Sequence, residues 1–224
     1  MKNRNNSILF AKLSIAAVII YHLLITSLIF IRKDLDPSWH PLSDYAIGTY
    51  GWVMSLAFII SSFSYGTLLF NIKSHLKGFF GKLGLFVLFI CFVGTFCVGM
   101  FTTDPLTTAP DKISTTGLIH MYSGMAGLFL LPIAALLINL SIALKNNSWA
   151  AKKVLIWTSV IPLLGLVGFI IHLSIYVIPK GEYAYGPGVP LGYPPRLLFL
   201  TYMIWLIILN VQLIKVQKLN HHQN

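Results

Sequence analysis

Five ionisable side chains in this sequence sit at the ends of long apolar runs, where charge is costly: Asp44, Asp104, His120, His172 and Arg196. Histidine nitrogen and carboxylate oxygen are both ordinary zinc ligands. Asp104, His120 and His172 therefore make a candidate metal set, with Asp44 close by. Arg196 suits a different chemistry, because a guanidinium binds a phosphate head group in a bidentate fork. A chain of Asp and His can also relay protons. Ser43, beside Asp44, and His22, deep in the first apolar run, are weaker members of the same group. The spacing does not choose between these chemistries. No His-Glu-x-x-His is present, and no single run carries two of the candidates.

Each residue also has a plainer reading. Asp104 precedes Pro105, a common turn signal. Ser43 and Asp44 have the residue types that cap a helix N-terminus. Arg196 could be an interface anchor, and the histidines could be rim residues satisfied by hydrogen bonds. Co-location at one level is what raises the group above these alternatives.

The elements that must position them are helices across a membrane. The 224 residues are 56% hydrophobic and only 10% charged, with mean hydropathy +0.78, where soluble domains run at about 25% charged. Apolar runs long enough for a hydrocarbon core of about 30 Å occur six times, at about 8–31, 50–72, 83–101, 117–144, 154–177 and 197–214. The expected fold class is all-α: one domain spanning 1–224, a bundle of six transmembrane helices.

Charge sorts along alternate connections. Of the 16 Lys and Arg and six Asp and Glu, one side takes eleven cations and no acid, and the other takes five cations and all six acids. Lys and Arg are retained in cytoplasmic loops, so both termini are expected in the cytoplasm and the acidic loops outside. The same sorting argues against nucleic acid as the partner of the basic charge. The cations flank helices in short loops, which fits membrane orientation and contact with anionic lipids. With no organelle signal, the expected location is a prokaryotic plasma membrane, as a multi-pass protein.

Two helices pair a histidine with glycines. Helix 4 reads His120-x-x-Ser123-Gly124-x-x-Gly127, and helix 5 reads Gly165-x-x-Gly168-x-x-x-His172. In both, glycines lie four and seven residues deeper on the face of the histidine. Small residues allow close helix approach, so both rings are expected to face protein. If the two helices present these faces to each other, the rings should lie within roughly 10 Å and near Asp104, given helix spacings of 8–10 Å. A working site of this kind is kept at some cost to stability. Asp104→Ala and His120→Ala are then expected to leave the thermal midpoint equal or higher.

The remaining features exclude more than they assign. The first apolar run is too long for a signal-peptide core and lacks a cleavage site after it. Cys91 and Cys97 are about 9 Å apart along one helix, too far for a disulfide. The loop 178–196 is dense in Pro and Gly, and its Tyr183, Tyr185 and Tyr193 suit an interface belt or, less well, a lid. His221 and His222 belong to a solvated tail.

The motif pieces together resemble a known family. Leu42-Ser43-Asp44 precedes helix 2, Phe101-Thr102-Thr103-Asp104-Pro105 follows helix 3, Gly117-Leu118-Ile119-His120 opens helix 4 and Pro195-Arg196-Leu197 opens helix 6. This set is similar to prokaryotic six-span membrane proteins of the domain of unknown function 998 family. The Ser-Asp element is also distantly similar to DRAM-type proteins. Pro195 stands where that pattern leads one to expect a polar residue. A weaker resemblance, to the CREST group of membrane hydrolases, implies Ser, Asp and His around zinc at one membrane face.

Three functions remain open on the sequence. The first is binding of a lipid head group or small polar ligand by Ser43, Asp44, Asp104, His120, His172 and Arg196. The second is a zinc-dependent membrane hydrolase, for which no catalytic residue is assignable. The third is a small transporter, disfavoured because no helix carries a midplane carboxylate. Membrane lipids are the expected partners, and oligomeric state is not readable.

Overall fold

A computed structural model describes residues 2–145, 152–181 and 184–222, with backbone alone for 2–5, 145 and 220–222. Glu182, Tyr183 and the whole connection 146–151 lie outside the described residues. So do the side chains of Lys2, Arg4, Lys145, His221 and His222.

Six helices account for the six apolar runs: α1 (Lys2–Ile31), α2 (Gly51–Ile72), α3 (Gly78–Met100), α4 (Thr115–Lys145), α5 (Lys152–His172) and α6 (Tyr193–His222). All six are long and apolar enough to cross a membrane, and the described residues contain no strand. The helices outrun most of the apolar runs, most clearly at α6, which continues to His222. A helix satisfies its own backbone in any solvent, so it need not stop where the hydrocarbon does. Helix α5 does the reverse. It ends at His172, and the chain continues through a π-helical turn, Leu173–Val177, and a 3-10 turn, Ile178–Lys180.

Each helix packs on its neighbours in sequence, and α6 closes on α1, so the bundle is a ring. Ser7 on α1 lies between Asn71 on α2 and Gln217 on α6, with hydrogen bonds to both. The two ends of the chain therefore share one end of the bundle, here called the basic end. The three longer loops form the opposite, acidic end.

Helices α1, α2 and α6 are held in register by two polar layers. Ser7, Asn71 and Gln217 form the first. Seven residues away on each helix, Ser14, Ser64 and Asn210 form the second: Ser14 donates to the Ser64 carbonyl at 2.9 Å, and Asn210 Nδ2 donates to Ser14 at 3.0 Å. A seven-residue step is nearly two turns, so one face of each helix meets the others throughout. Hydrogen bonds between membrane helices average about 0.6 kcal/mol, so the layers specify register more than they stabilise. Ala11, Leu68 and Leu213, fully buried, occupy the levels between them.

The acidic end is built differently. Leu42–Ala46 forms a 3-10 turn that enters the bundle, and Leu42, Tyr45 and Ala46 pack with Tyr21, Leu28, Met54, Phe58 and Val98. The chain then reverses at Gly48 (φ 75°) and Tyr50 (φ 65°). A Cβ on Gly51 would lie 2.3 Å from the Ala46 carbonyl oxygen, so only glycine fits. Ser43 and Asp44 do not cap α2. Tyr50 holds that position without a side-chain bond, and Asp44 is buried in the turn before it.

Candidate functional site

Asp104 binds the start of α4. Its Oδ2 accepts from the Ser114 amide at 2.8 Å and the Ser114 hydroxyl at 2.9 Å, while that hydroxyl accepts from the Gly117 amide at 3.0 Å. A carboxylate here also faces the positive end of the helix dipole. The contact requires Gly117, because a Cβ there would stand 2.0 Å from Oδ2. Asp104 thus fastens its loop to α4. Its removal is now expected to lower stability, contrary to the expectation from sequence.

His120, 5% exposed, closes the end of α3. Its Nδ1 lies 2.7 Å from the Phe101 carbonyl oxygen, just past the last residue of that helix. A carbonyl only accepts, so Nδ1 carries the proton and Nε2 of the neutral ring is left as an acceptor. The ring meets Phe58 edge-on, 6.1 Å between centroids.

Asp104 and His120 share the wall of a cavity of about 380 Å³. Ser43 and Leu42 bound it from the first loop, Phe58 from α2, Val98 from α3, Met121 and Leu128 from α4, and Phe199 from α6. Most of the lining is apolar. On α4 the lining runs from Gly117 to Leu128, a depth of about 16 Å at 1.5 Å per residue. That is about half of a hydrocarbon core of roughly 30 Å, the thickness of one leaflet.

His172 lies elsewhere. Its Nε2 is 2.7 Å from the Pro190 carbonyl oxygen, and it borders a different cavity, of about 270 Å³, with Gly165, Gly168, Leu197 and Thr201. The two cavities share no lining residue. The glycines explain why. A Cβ on Gly127 would meet Thr95 of α3 at 2.9 Å, and one on Gly165 would meet Thr201 of α6 at 2.8 Å. Gly127 and Gly165 are close-packed, on different partners rather than on each other, while Gly124 has only an ordinary contact with Val98 at 3.7 Å and Gly168 meets nothing within 4 Å. Asp104, His120 and His172 are not brought into one cluster. Among the described residues, no group of three His, Cys, Asp or Glu is placed to hold a metal ion.

Arg196 is a tie between α6 and the first loop. Its Nη1 donates to the carbonyls of Gly192 at 2.6 Å, His40 at 3.1 Å and Pro37 at 3.4 Å, and its guanidinium lies 5.0 Å from the Tyr45 ring centroid. Nε and Nη2 are buried without a partner. The same junction is fixed by Gly192, whose amide donates to the Ser38 carbonyl at 3.1 Å and whose Cβ, if present, would lie 2.0 Å from the Pro37 oxygen. Pro195 does not keep the arginine from hydrogen bonding. His22 is bonded through Nδ1 to the Val18 carbonyl at 2.8 Å and stacks edge-on with Tyr21.

Asp44, 5% exposed, takes the Tyr185 hydroxyl on Oδ2 at 2.6 Å, and its Oδ1 is buried without a partner. Burial raises its pKa above the ordinary carboxylate value, opposed by the bond from Tyr185 and the charges of His40, Arg196 and Arg32. Arg32 is equally enclosed, at 7%, and paired with Asp34.

Sequence reasoning assigned no site role to Arg32, His40, Gly117 or Gly192, and it inclined to an interface belt for Tyr185. Nothing in their spacing marks them. Only the Pro- and Gly-rich character of 178–196 hinted that this loop could fold back over the bundle.

No curated protein and no solved structure matches the chain. One family model does, that of a protein of unknown function, DUF998, over residues 15–212. That span takes in every candidate residue above and extends from α1 into α6. It does not bear on the distant similarity to DRAM-type proteins. With the six membrane-length helices, it shows that the chain is a multi-pass membrane protein belonging to the DUF998 family, whose function is unknown.

Proposed function

We propose that this protein binds a membrane lipid, or an amphiphile of lipid size, in the 380 Å³ cavity at the acidic end of the bundle. The observation that carries the reading is the cavity's composition along its depth. Apolar side chains from four helices line a space one leaflet deep, and Ser43, Asp104 and His120 add polar groups to its wall. Pockets for small molecules have this character, mostly apolar with a few fixed polar groups. A small polar ligand fits this lining less well than an acyl chain does. His172 and Arg196 are outside the binding set on this reading: one borders another cavity and the other ties the first loop to α6.

A ligand that binds the folded state raises thermal stability by mass action, about 2.7 kcal/mol at a hundredfold excess over Kd. Delipidated protein in detergent should therefore show a higher midpoint when a phospholipid extract is added. Gly124→Leu is the control. Gly124 lines the cavity, and a Cβ there meets nothing nearer than Val98 Cγ2 at 3.7 Å, so a leucine is expected to extend into the open space. The variant should fold and lose the lipid response. An equal response in both proteins would remove the cavity from the account.

The orientation proposed with this has both termini in the cytoplasm and the acidic end outside, in a prokaryotic plasma membrane. Its support is the sorting of Lys and Arg. In cells, a cysteine placed at exposed Lys33 should react with an impermeant thiol reagent, and one at exposed Ser74 should not. The reverse pattern would invert the protein and put the cavity in the inner leaflet.

A further inference from the structure

Beside the main cavity, at its acidic-end rim, lies a smaller one of about 220 Å³. Pro105 and Leu106 line both, so the two spaces adjoin at this pair. The smaller cavity carries the polar groups that the larger one mostly lacks: Arg32, Asp44, Thr107 and Tyr185.

The two charged side chains there are not equivalent. Arg32 looks like a phosphate binder, but each of its three nitrogens already has a partner within the chain. Nε bonds Asp34 at 2.9 Å, Nη2 bonds Asp34 at 2.7 Å and Nη1 bonds the Ile47 carbonyl at 2.8 Å. Its charge is neutralised by the same aspartate. Asp44 is the reverse case. One oxygen takes the Tyr185 hydroxyl, and the other has no partner although the residue is 5% exposed. An unpaired acceptor on a buried carboxylate is costly. Asp44 lines this cavity, and the terminal torsion of Asp is broad and roughly two-fold. The unmet need in this cavity is for a hydrogen-bond donor.

Resting on the lipid-binding reading above, we propose that the 220 Å³ cavity is a head-group subsite in which Asp44 selects lipids whose head group carries a hydrogen-bond donor, a primary ammonium or a hydroxyl. Tyr185 fills that role from within the chain and competes with the head group for the carboxylate. A quaternary ammonium has no donor and gains nothing from Asp44 beyond charge.

The test uses three phospholipids with identical acyl chains: phosphatidylethanolamine, phosphatidylglycerol and phosphatidylcholine. All carry the phosphate; phosphatidylethanolamine and phosphatidylcholine are both zwitterionic and differ in the donor, while phosphatidylglycerol offers hydroxyl donors without a cation. Each is titrated into delipidated full-length protein in detergent, and bound lipid is counted by native mass spectrometry. A charge-assisted hydrogen bond corresponds to a preference on the order of tenfold. Phosphatidylethanolamine, phosphatidylglycerol or both should bind about that much tighter than phosphatidylcholine, and which one does identifies the donor as ammonium or hydroxyl. Asp44→Ala should bring the three together by weakening the donor lipids most. Tyr185→Phe removes the internal competitor at an incompletely buried position, so it should fold and should widen the preference, a change that a purely structural role would not produce. Equal binding of all three lipids by the parent would overturn the subsite and leave the lipid cavity standing. A preference unchanged in both variants would overturn the role of Asp44. Binding of none would end both readings.

Discussion

Replacing Arg196 by alanine should lower the thermal midpoint in detergent by several degrees, the largest effect expected of any single substitution among the candidate residues. One nitrogen of this guanidinium meets three carbonyls, two from the first loop and one from the turn that opens α6. Hydrogen bonds from a charged donor contribute about 1.5–3 kcal/mol. Truncation would also strand those carbonyls against a buried loop. Two of the arginine's own nitrogens are buried without partners, and losing them offsets part of the loss. A net cost of about 2–4 kcal/mol follows from these opposing terms. Arg196→Lys should recover only part of it, because an ammonium lacks the planar fork and its stacking on Tyr45. A midpoint within a degree of the parent would mean that the loop is held by the Gly192 contact alone.

The second large effect is a coupling. Asp104→Ala removes two hydrogen bonds at the start of α4 and should cost about 1.5–3 kcal/mol. Gly117→Ala should cost a similar amount for a different reason, since its Cβ would lie 2.0 Å from the carboxylate oxygen it must displace. In the double variant the collision is gone. The next nearest atom to that Cβ is the Asp104 amide nitrogen at 3.3 Å, tight but tolerable, and alanine favours helix over glycine by about 1 kcal/mol. The double variant should therefore be no less stable than Asp104→Ala alone. Thermal midpoints of the four proteins complete the cycle. Additive losses would show that Gly117 is required by something other than Asp104.

The architecture was legible in the sequence because hydropathy reports it directly. Six runs became six helices, with ends that moved where a helix continues past the hydrocarbon. Asp44, Asp104, His120, His172 and Arg196 each lie near a helix end, which hydropathy also marks. Their partners were not readable. Glycine spacing around His120 and His172 announced close packing, which occurs at Gly127 and Gly165 but not at Gly168, and spacing along one helix carries no information about which neighbour it faces. Thr95 and Thr201 on separate helices decided that. Asp104 and Asp44 illustrate a second limit. Both are loop aspartates followed by apolar residues. One is satisfied by the helix start ten residues later and the other by a tyrosine 141 residues away. Only the fold distinguishes a carboxylate bonded to a helix start from one that keeps a buried oxygen without a partner.

The account stands or falls on occupancy of the 380 Å³ cavity. Native mass spectrometry of the protein released from its own membranes in a mild detergent measures this without prior choice of ligand. One lipid-sized adduct should persist on the parent chain at collision energies that strip bulk detergent, and Gly124→Leu, folded by its circular dichroism, should carry none. A parent that sheds every adduct together with the detergent, or a variant that retains the same adduct, would contradict lipid binding at this site.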